Sequence, residues 1–400
     1  MHSSLVSHQQ SRYHYMDNLR ALAMLVGIVF HAILAYSPLL HNIWFLADQQ
    51  HSVVVDVIAF WLHTFRMPLF FIIAGFFAYM LIEKRGVKGF IKNRSTRVLL
   101  PLIVFLPLVI GIVVTTIFWA MDNIHHLPPV LAMSKELEKQ NSDLSTAHLW
   151  FLFNLFGFCL VLAALYKNKL VQGRWTNDIA SVPFLLVMFP VLIIPATYSV
   201  DAPFPAPEKL YPELWSYGFY GVFFFVGVAI FKRQKVLEQL YQHRHVMLAI
   251  ATCSYLTFYA LMPKALTIDE VKLMIEQGAK ITQGFEHVAM VILQAFSSVY
   301  FSLLALCYGK KLIDKQNAIV RYIADASYWL YIVHIPLLLL IQMPMLDWQT
   351  HAIIKLIAAL TLTFVIGFIS YHFLVRKTWL GQWLNGQKVV SKKVADLAVD

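Results

Sequence analysis

Apolar runs of about twenty residues recur along the chain from Ala21 to Leu374. Each is long enough to cross the roughly 30 Å hydrocarbon layer of a bilayer as a helix. In lipid, only helices and closed barrels satisfy their own backbone groups. Only 14% of the 400 residues are charged and 59% are apolar, whereas soluble domains carry about a quarter charged residues. That excludes a soluble enzyme, a nucleic-acid-binding protein and a disordered chain. The runs predict an all-α, polytopic membrane bundle of about ten helices, at 16–37, 53–82, 98–120, 148–166, 180–198, 215–231, 246–262, 285–308, 322–344 and 352–375. Breakers mark their ends: Ser37-Pro38, Pro128-Pro129 and the cluster Pro203, Pro205, Pro207 and Pro212.

The net charge of +10 reads as orientation rather than as nucleic-acid affinity. If the ten runs alternate, one set of loops and tails holds 23 Lys and Arg and the opposite set holds 6. Arg20, Arg66 and Lys355 fall inside runs. The asymmetry predicts cytoplasmic termini: a tail over 1–15, a membrane domain over 16–375 and a basic tail over 376–400. A cleavable signal segment is not expected, since the first apolar run contains Arg20 and His31. Cys159, Cys253 and Cys307 lie singly in apolar runs and read as packing residues. The stretch 266–281 is amphipathic and fits a position on the membrane surface.

An ionisable side chain at mid-membrane costs roughly 2.5–3.5 kcal/mol on insertion scales, so each one is a functional candidate. The first run, MDNLRALAMLVGIVFH, carries Asp17, Arg20 and His31. Eleven residues amount to about three helical turns, which puts Arg20 and His31 on one face about 16 Å apart. Met24 and Gly27 lie on the stripe between them. The alternative for Asp17 and Arg20 is a plain i,i+3 pair at the helix start. The second run carries His63 and Arg66 in HTFRMPLFF. A charge so deep demands an acid, a polar cavity or a ligand. His148, Trp150 and Asn154 open the fourth run, where an interfacial anchor is the competing reading. The ninth run holds Ser327 and His334. Several intramembrane histidines together suggest proton handling near neutral pH. Arg94 and Arg97, spaced i,i+3 at a helix start, present two guanidinium groups that suit a phosphate, or else simply add to the basic loop. There is no GxSxG elbow, HExxH or P-loop. His51 and Asp56 form an H-x4-D pair, but at the wrong end for a cytoplasmic donor.

Taken together, Asp17-x-x-Arg20 with Arg20-x10-His31, FRMPLFFIIAGFF, Arg94-x-x-Arg97, HLWFL and SYWLYIVHIP, in this order, resemble the acyltransferase-3 family of integral membrane acyltransferases. The resemblance spans roughly residues 12 to 375. Within the family the chain is most similar to a group associated with succinylation of periplasmic glucans. One departure is Ala74-Gly75, where many members have Ser-Gly. The resemblance implies a bacterial inner-membrane enzyme that moves an acyl group, succinyl or acetyl, from cytoplasmic acyl-CoA to a hydroxyl of an extracytoplasmic glucan. It implies no tightly bound cofactor or metal, with acyl-CoA, the carbohydrate acceptor and the bilayer as partners, and glucan-synthesis proteins besides. His31, with Arg20 and Asp17, would do the chemistry. His63, Arg66 and His334 would line the acyl pocket or meet the oxyanion, and Arg94 and Arg97 would hold CoA. The alternatives are a proton-coupled transporter, for which inverted repeats are expected and not found, and an export partner without chemistry of its own.

Overall fold

A computed structural model describes residues 13–134, 145–277, 281–315 and 317–385. The outer parts of the two expected tails, much of the loop 121–147 and the end of the amphipathic stretch lie outside these residues. Among the described residues all regular structure is helical, and one isolated antiparallel bridge joins Ser145 to Lys209. The principal helices are α1 (His14–Ile33), α2 (Val53–Arg94), α3 (Leu100–Asn123), α4 (Trp150–Lys167) and α5 (Phe189–Tyr198). They continue as α6 (Val222–Lys232), α7 (Arg244–Ala260), α8 (Gly284–Leu312), α9 (Ala318–Met345) and α10 (Ala352–Ser370). A short helix, Ile268–Gln277, occupies the amphipathic stretch.

The chain is a multi-pass helical membrane protein. Among the described residues, 7 helical stretches are long and apolar enough to cross a bilayer. The difference from about ten has a physical origin. The expected spans 53–82 and 98–120 belong to one helical stretch, Val53–Asn123, of 71 residues. It turns at Gly86, whose φ of 64° is open to glycine without strain. The apolar stretch Phe184–Tyr198 is too short to count, and α7 has 17 residues and opens on Arg244 and His245.

Helix α2 is the spine, packing on α1, α4, α6 and α8. Its crossing with α6 is backbone on backbone. A Cβ on Gly75 would lie 1.9 Å from the Phe224 carbonyl oxygen, and one on Gly227 would lie 1.9 Å from that of Ile72. Small residues at such a crossing let two helices approach, as membrane bundles require. Helix α1 packs between α2, α8 and α9. Its start is tied down by the Asn18 amide, which donates to the Ile313 and Lys315 carbonyls at 2.6 and 3.1 Å.

Lys355, the third in-span cation, has a partner: its ammonium lies 2.8 Å from the Asp48 carboxylate, and both side chains are buried. This pair pins the segment 37–52 across one end of the bundle. The Asp48 N–H donates to the Ala35 carbonyl, and the Asn42 amide to that of Leu266. The H-x4-D pair does not form a dyad. Asp56 is buried and bonded to the hydroxyls of Ser37 and Tyr259, whereas His51 is exposed beside His41. Nearby, Asp347 accepts from the backbone N–H groups of His125 and His126. Partial burial raises its carboxyl, but those donors and the His126 ring outweigh it and hold the group below its usual range.

Candidate active site

One cavity of about 400 Å³ runs inside the bundle between α1, α2, α4 and α9. That is the size of a small-molecule site. Its α1 wall consists of Arg20, Met24, Gly27 and His31, the stripe that 100° per residue places on one face. At one end stand Arg20, Arg85, Arg94 and Arg97, with Asp325 as the one acid among the lining residues. At the other end stand His31, Arg66, His148 and His334. The cavity therefore joins a strongly cationic opening to a buried cluster of imidazoles.

The arginine end is shaped by a break in helical regularity. Ser95–Leu99 is a single wide π turn, with Arg94 immediately before it and Arg97 within it. Such turns free backbone carbonyls and recur at functional sites. Here the freed groups find partners: Tyr328 donates its hydroxyl to the Arg97 carbonyl at 2.8 Å, and the Trp383 indole donates to that of Thr96 at 2.8 Å. The Arg94 Nε is buried without a partner, and its guanidinium lies over Phe90. Arg20 pairs with Asp17 at 3.4 Å across one helical turn, is 40% exposed, and still lines the cavity. The short helix Trp379–Asn385 closes one side of this end with Leu384 and Asn385.

At the deep end, Arg66 is 6% exposed. It donates one N–H to the Gly27 carbonyl at 3.2 Å and stacks its guanidinium 4.0 Å from the centre of the Phe30 ring. Its Nε has no partner, and among the described residues no carboxylate pairs with it. Of the three things so deep a charge demands, the bundle supplies the polar cavity. A Cβ on Gly27 would meet the Arg66 guanidinium at 3.6 Å, an ordinary van der Waals contact, so the two pack closely. The His31 ring lies 5.2 Å from that of His334, with the Trp44 indole 6.5 Å away on the side of the 37–52 segment. The His31 Nδ1 is buried and unpartnered.

Two other residues lie where the sequence left matters open. His63 is off the cavity wall: its Nε2 donates to the Phe204 carbonyl at 2.9 Å, and its ring stacks between Phe30 and Phe204. His148 is no interfacial anchor. It is buried, lines the cavity and packs its ring 4.9 Å from His334. It lies in a tight turn, Ala147–Leu149, that immediately precedes α4. Asn154 lies off the wall, its carbonyl accepting from Ser216 at 2.8 Å. Trp150 and Ser327 line the cavity, and Ala74 puts a methyl on the wall where Ser would put a hydroxyl.

The multi-pass bundle thus encloses a ligand-sized passage between a cationic opening and a terminal imidazole cluster. Comparison with known proteins gives its class: the chain belongs to the acyltransferase-3 family, whose acyltransferase domain matches residues 13–372. It is 24% identical over 405 aligned positions to glucans biosynthesis protein C of Escherichia coli strain K12, covering 96% of each chain. The proteins of that name from strains O81 ED1a and O9:H4 HS are equally similar, with the same coverage. No solved structure matches the chain.

Proposed function

We propose that this membrane acyltransferase moves an acyl group from cytoplasmic acyl-CoA to a hydroxyl of an extracytoplasmic glucan, in a bacterial inner membrane. The observation that carries this is the continuous cavity, cationic at one end and imidazole-lined at the other. In this reading the ten apolar runs all span and both termini are cytoplasmic, so the arginine end faces the cytoplasm. The nucleotide of CoA is multiply anionic, and Arg94 and Arg97, supported by Arg20 and Arg85, form its dock. The acyl thioester lies inward along Met24 and Gly27 and brings its carbonyl to His31.

A sugar hydroxyl has a pKa far above 7 and needs a base as it attacks. His31 takes its proton while the oxygen adds to the thioester carbon. Arg66 supports the negative charge that develops on the carbonyl oxygen. Collapse breaks the C–S bond, the proton passes to the departing thiolate, and ester and CoA leave at opposite ends. The relatives' name supplies the glucan, and the acyl unit is succinyl or acetyl.

Two results are expected. Arg94→Glu combined with Arg97→Glu should weaken CoA binding by about tenfold or more in calorimetry, and salt should weaken the unaltered protein. Unchanged affinity places the dock elsewhere. Arg66→Met should reduce transfer from succinyl-CoA more than from acetyl-CoA, because only succinate carries a second carboxylate for the guanidinium. Equal loss with both donors assigns Arg66 an oxyanion or a structural role.

A further inference from the structure

The two histidines beyond His31 are fixed in opposite senses by backbone carbonyls. His148 Nε2 lies 3.1 Å from the Ile332 carbonyl oxygen, and His334 Nδ1 lies 2.7 Å from that of Tyr331. A carbonyl only accepts, so these two nitrogens carry the hydrogens. In neutral rings the other nitrogens, His148 Nδ1 and His334 Nε2, are then bare lone pairs. Tyr331 locks the arrangement, because its hydroxyl also donates to the His148 carbonyl at 2.7 Å. His148 Nδ1 is buried with no hydrogen-bond partner, although His148 lines the cavity. A buried acceptor without a donor is costly, and among the described residues none hydrogen-bonds to it.

We infer that His148 and His334 form a subsite for hydroxyl groups of the acceptor, distinct from the place where the acyl group lies. The reasoning is a matter of matching donors to acceptors, and it rests on the acyl-transfer reading above. A thioester carbonyl or a carboxylate brings only lone pairs and gains nothing from two more. Arg66, with donors alone, suits that part of the donor substrate. A polyol brings O–H hydrogens, which is what two bare imidazole nitrogens lack. The His31 ring is 5.2 Å from that of His334 and the His334 ring 4.9 Å from that of His148. Rings packed this closely let two hydroxyls of one sugar residue meet two imidazoles at once, so one is held while another faces His31. The specificity that follows is for a polyol that presents two hydroxyls together rather than for an isolated alcohol.

The test uses the full-length protein in lipid nanodiscs, succinyl-CoA as donor and a soluble gluco-oligosaccharide as acceptor. His148→Leu is expected to raise the acceptor KM by about tenfold, the effect of one lost hydrogen bond, while affinity for succinyl-CoA stays the same. His148→Asn, which keeps an acceptor oxygen near the Nδ1 position, should recover most of the loss. The unaltered protein supplies an arm that does not depend on folding of a variant. There the oligosaccharide should compete against labelled acceptor, and its per-O-methylated form, which has no O–H to donate, should not. Equal competition by the methylated form, or an unchanged acceptor KM in a folded His148→Leu protein that still transfers, overturns the subsite alone. Failure of the unaltered protein to acylate any hydroxyl overturns the acyl-transfer reading, and the subsite with it.

Discussion

Replacing His31 by alanine is expected to give a protein that inserts, folds and binds acyl-CoA but transfers about 10²–10⁴-fold more slowly, the usual contribution of a positioned base. The geometry makes the separation clean. His31 has an unpartnered Nδ1 and stands at the end of the cavity, so its removal strands no protein hydrogen bond at that atom. His63 is the natural control. Its Nε2 holds the Phe204 carbonyl, and His63→Ala should lower stability by roughly 1–3 kcal/mol while leaving transfer measurable. His334→Ala should likewise retain some activity. Transfer assays at matched expression, with CoA affinity measured in parallel, separate these outcomes. A wild-type rate in His31→Ala excludes it as the base.

Lys355→Met should be among the most destabilising single changes in the chain, although it lies far from the proposed chemistry. It leaves the Asp48 carboxylate, 2% exposed, without the ammonium that lies 2.8 Å away. Breaking a buried pair from one side costs about 3–5 kcal/mol, whereas removing both charges is often nearly neutral. Asp48→Asn combined with Lys355→Met should therefore recover much of the thermal stability lost by Lys355→Met alone, measured in detergent or nanodiscs. Additive losses would show that the two residues act separately.

These residues also show what the sequence made legible. Helical periodicity alone puts Arg20, Met24, Gly27 and His31 on one stripe, because their relation is local and the α-helix fixes it. The same logic brings Arg94 and Arg97 together, though not the π turn that carries Arg97. Partners far along the chain were illegible. Lys355 reads as a lone in-span cation because Asp48 is 307 residues away. His63 reads as a candidate for the site because nothing local shows that the proline-rich loop folds Phe204 onto it. His148 stayed ambiguous because depth in the bundle depends on α9, whose Ile332 carbonyl is 184 residues distant. The spans 53–82 and 98–120 show the reverse. Hydropathy separates 53–82 from 98–120, whereas the backbone runs helically through both.

In the proposed reaction an acyl group passes through this cavity from a donor at the arginine end to a hydroxyl at the histidine end. This passage is tested most directly in sealed proteoliposomes, with labelled succinyl-CoA outside and a gluco-oligosaccharide only inside. Molecules whose arginine end faces outward should place labelled succinyl ester on the enclosed oligosaccharide, detected by mass analysis after the vesicles are washed and opened. This ester should form with the unaltered protein and be lost with His31→Ala. An unlabelled oligosaccharide despite bound donor, or equal labelling by His31→Ala, would contradict the proposed reaction.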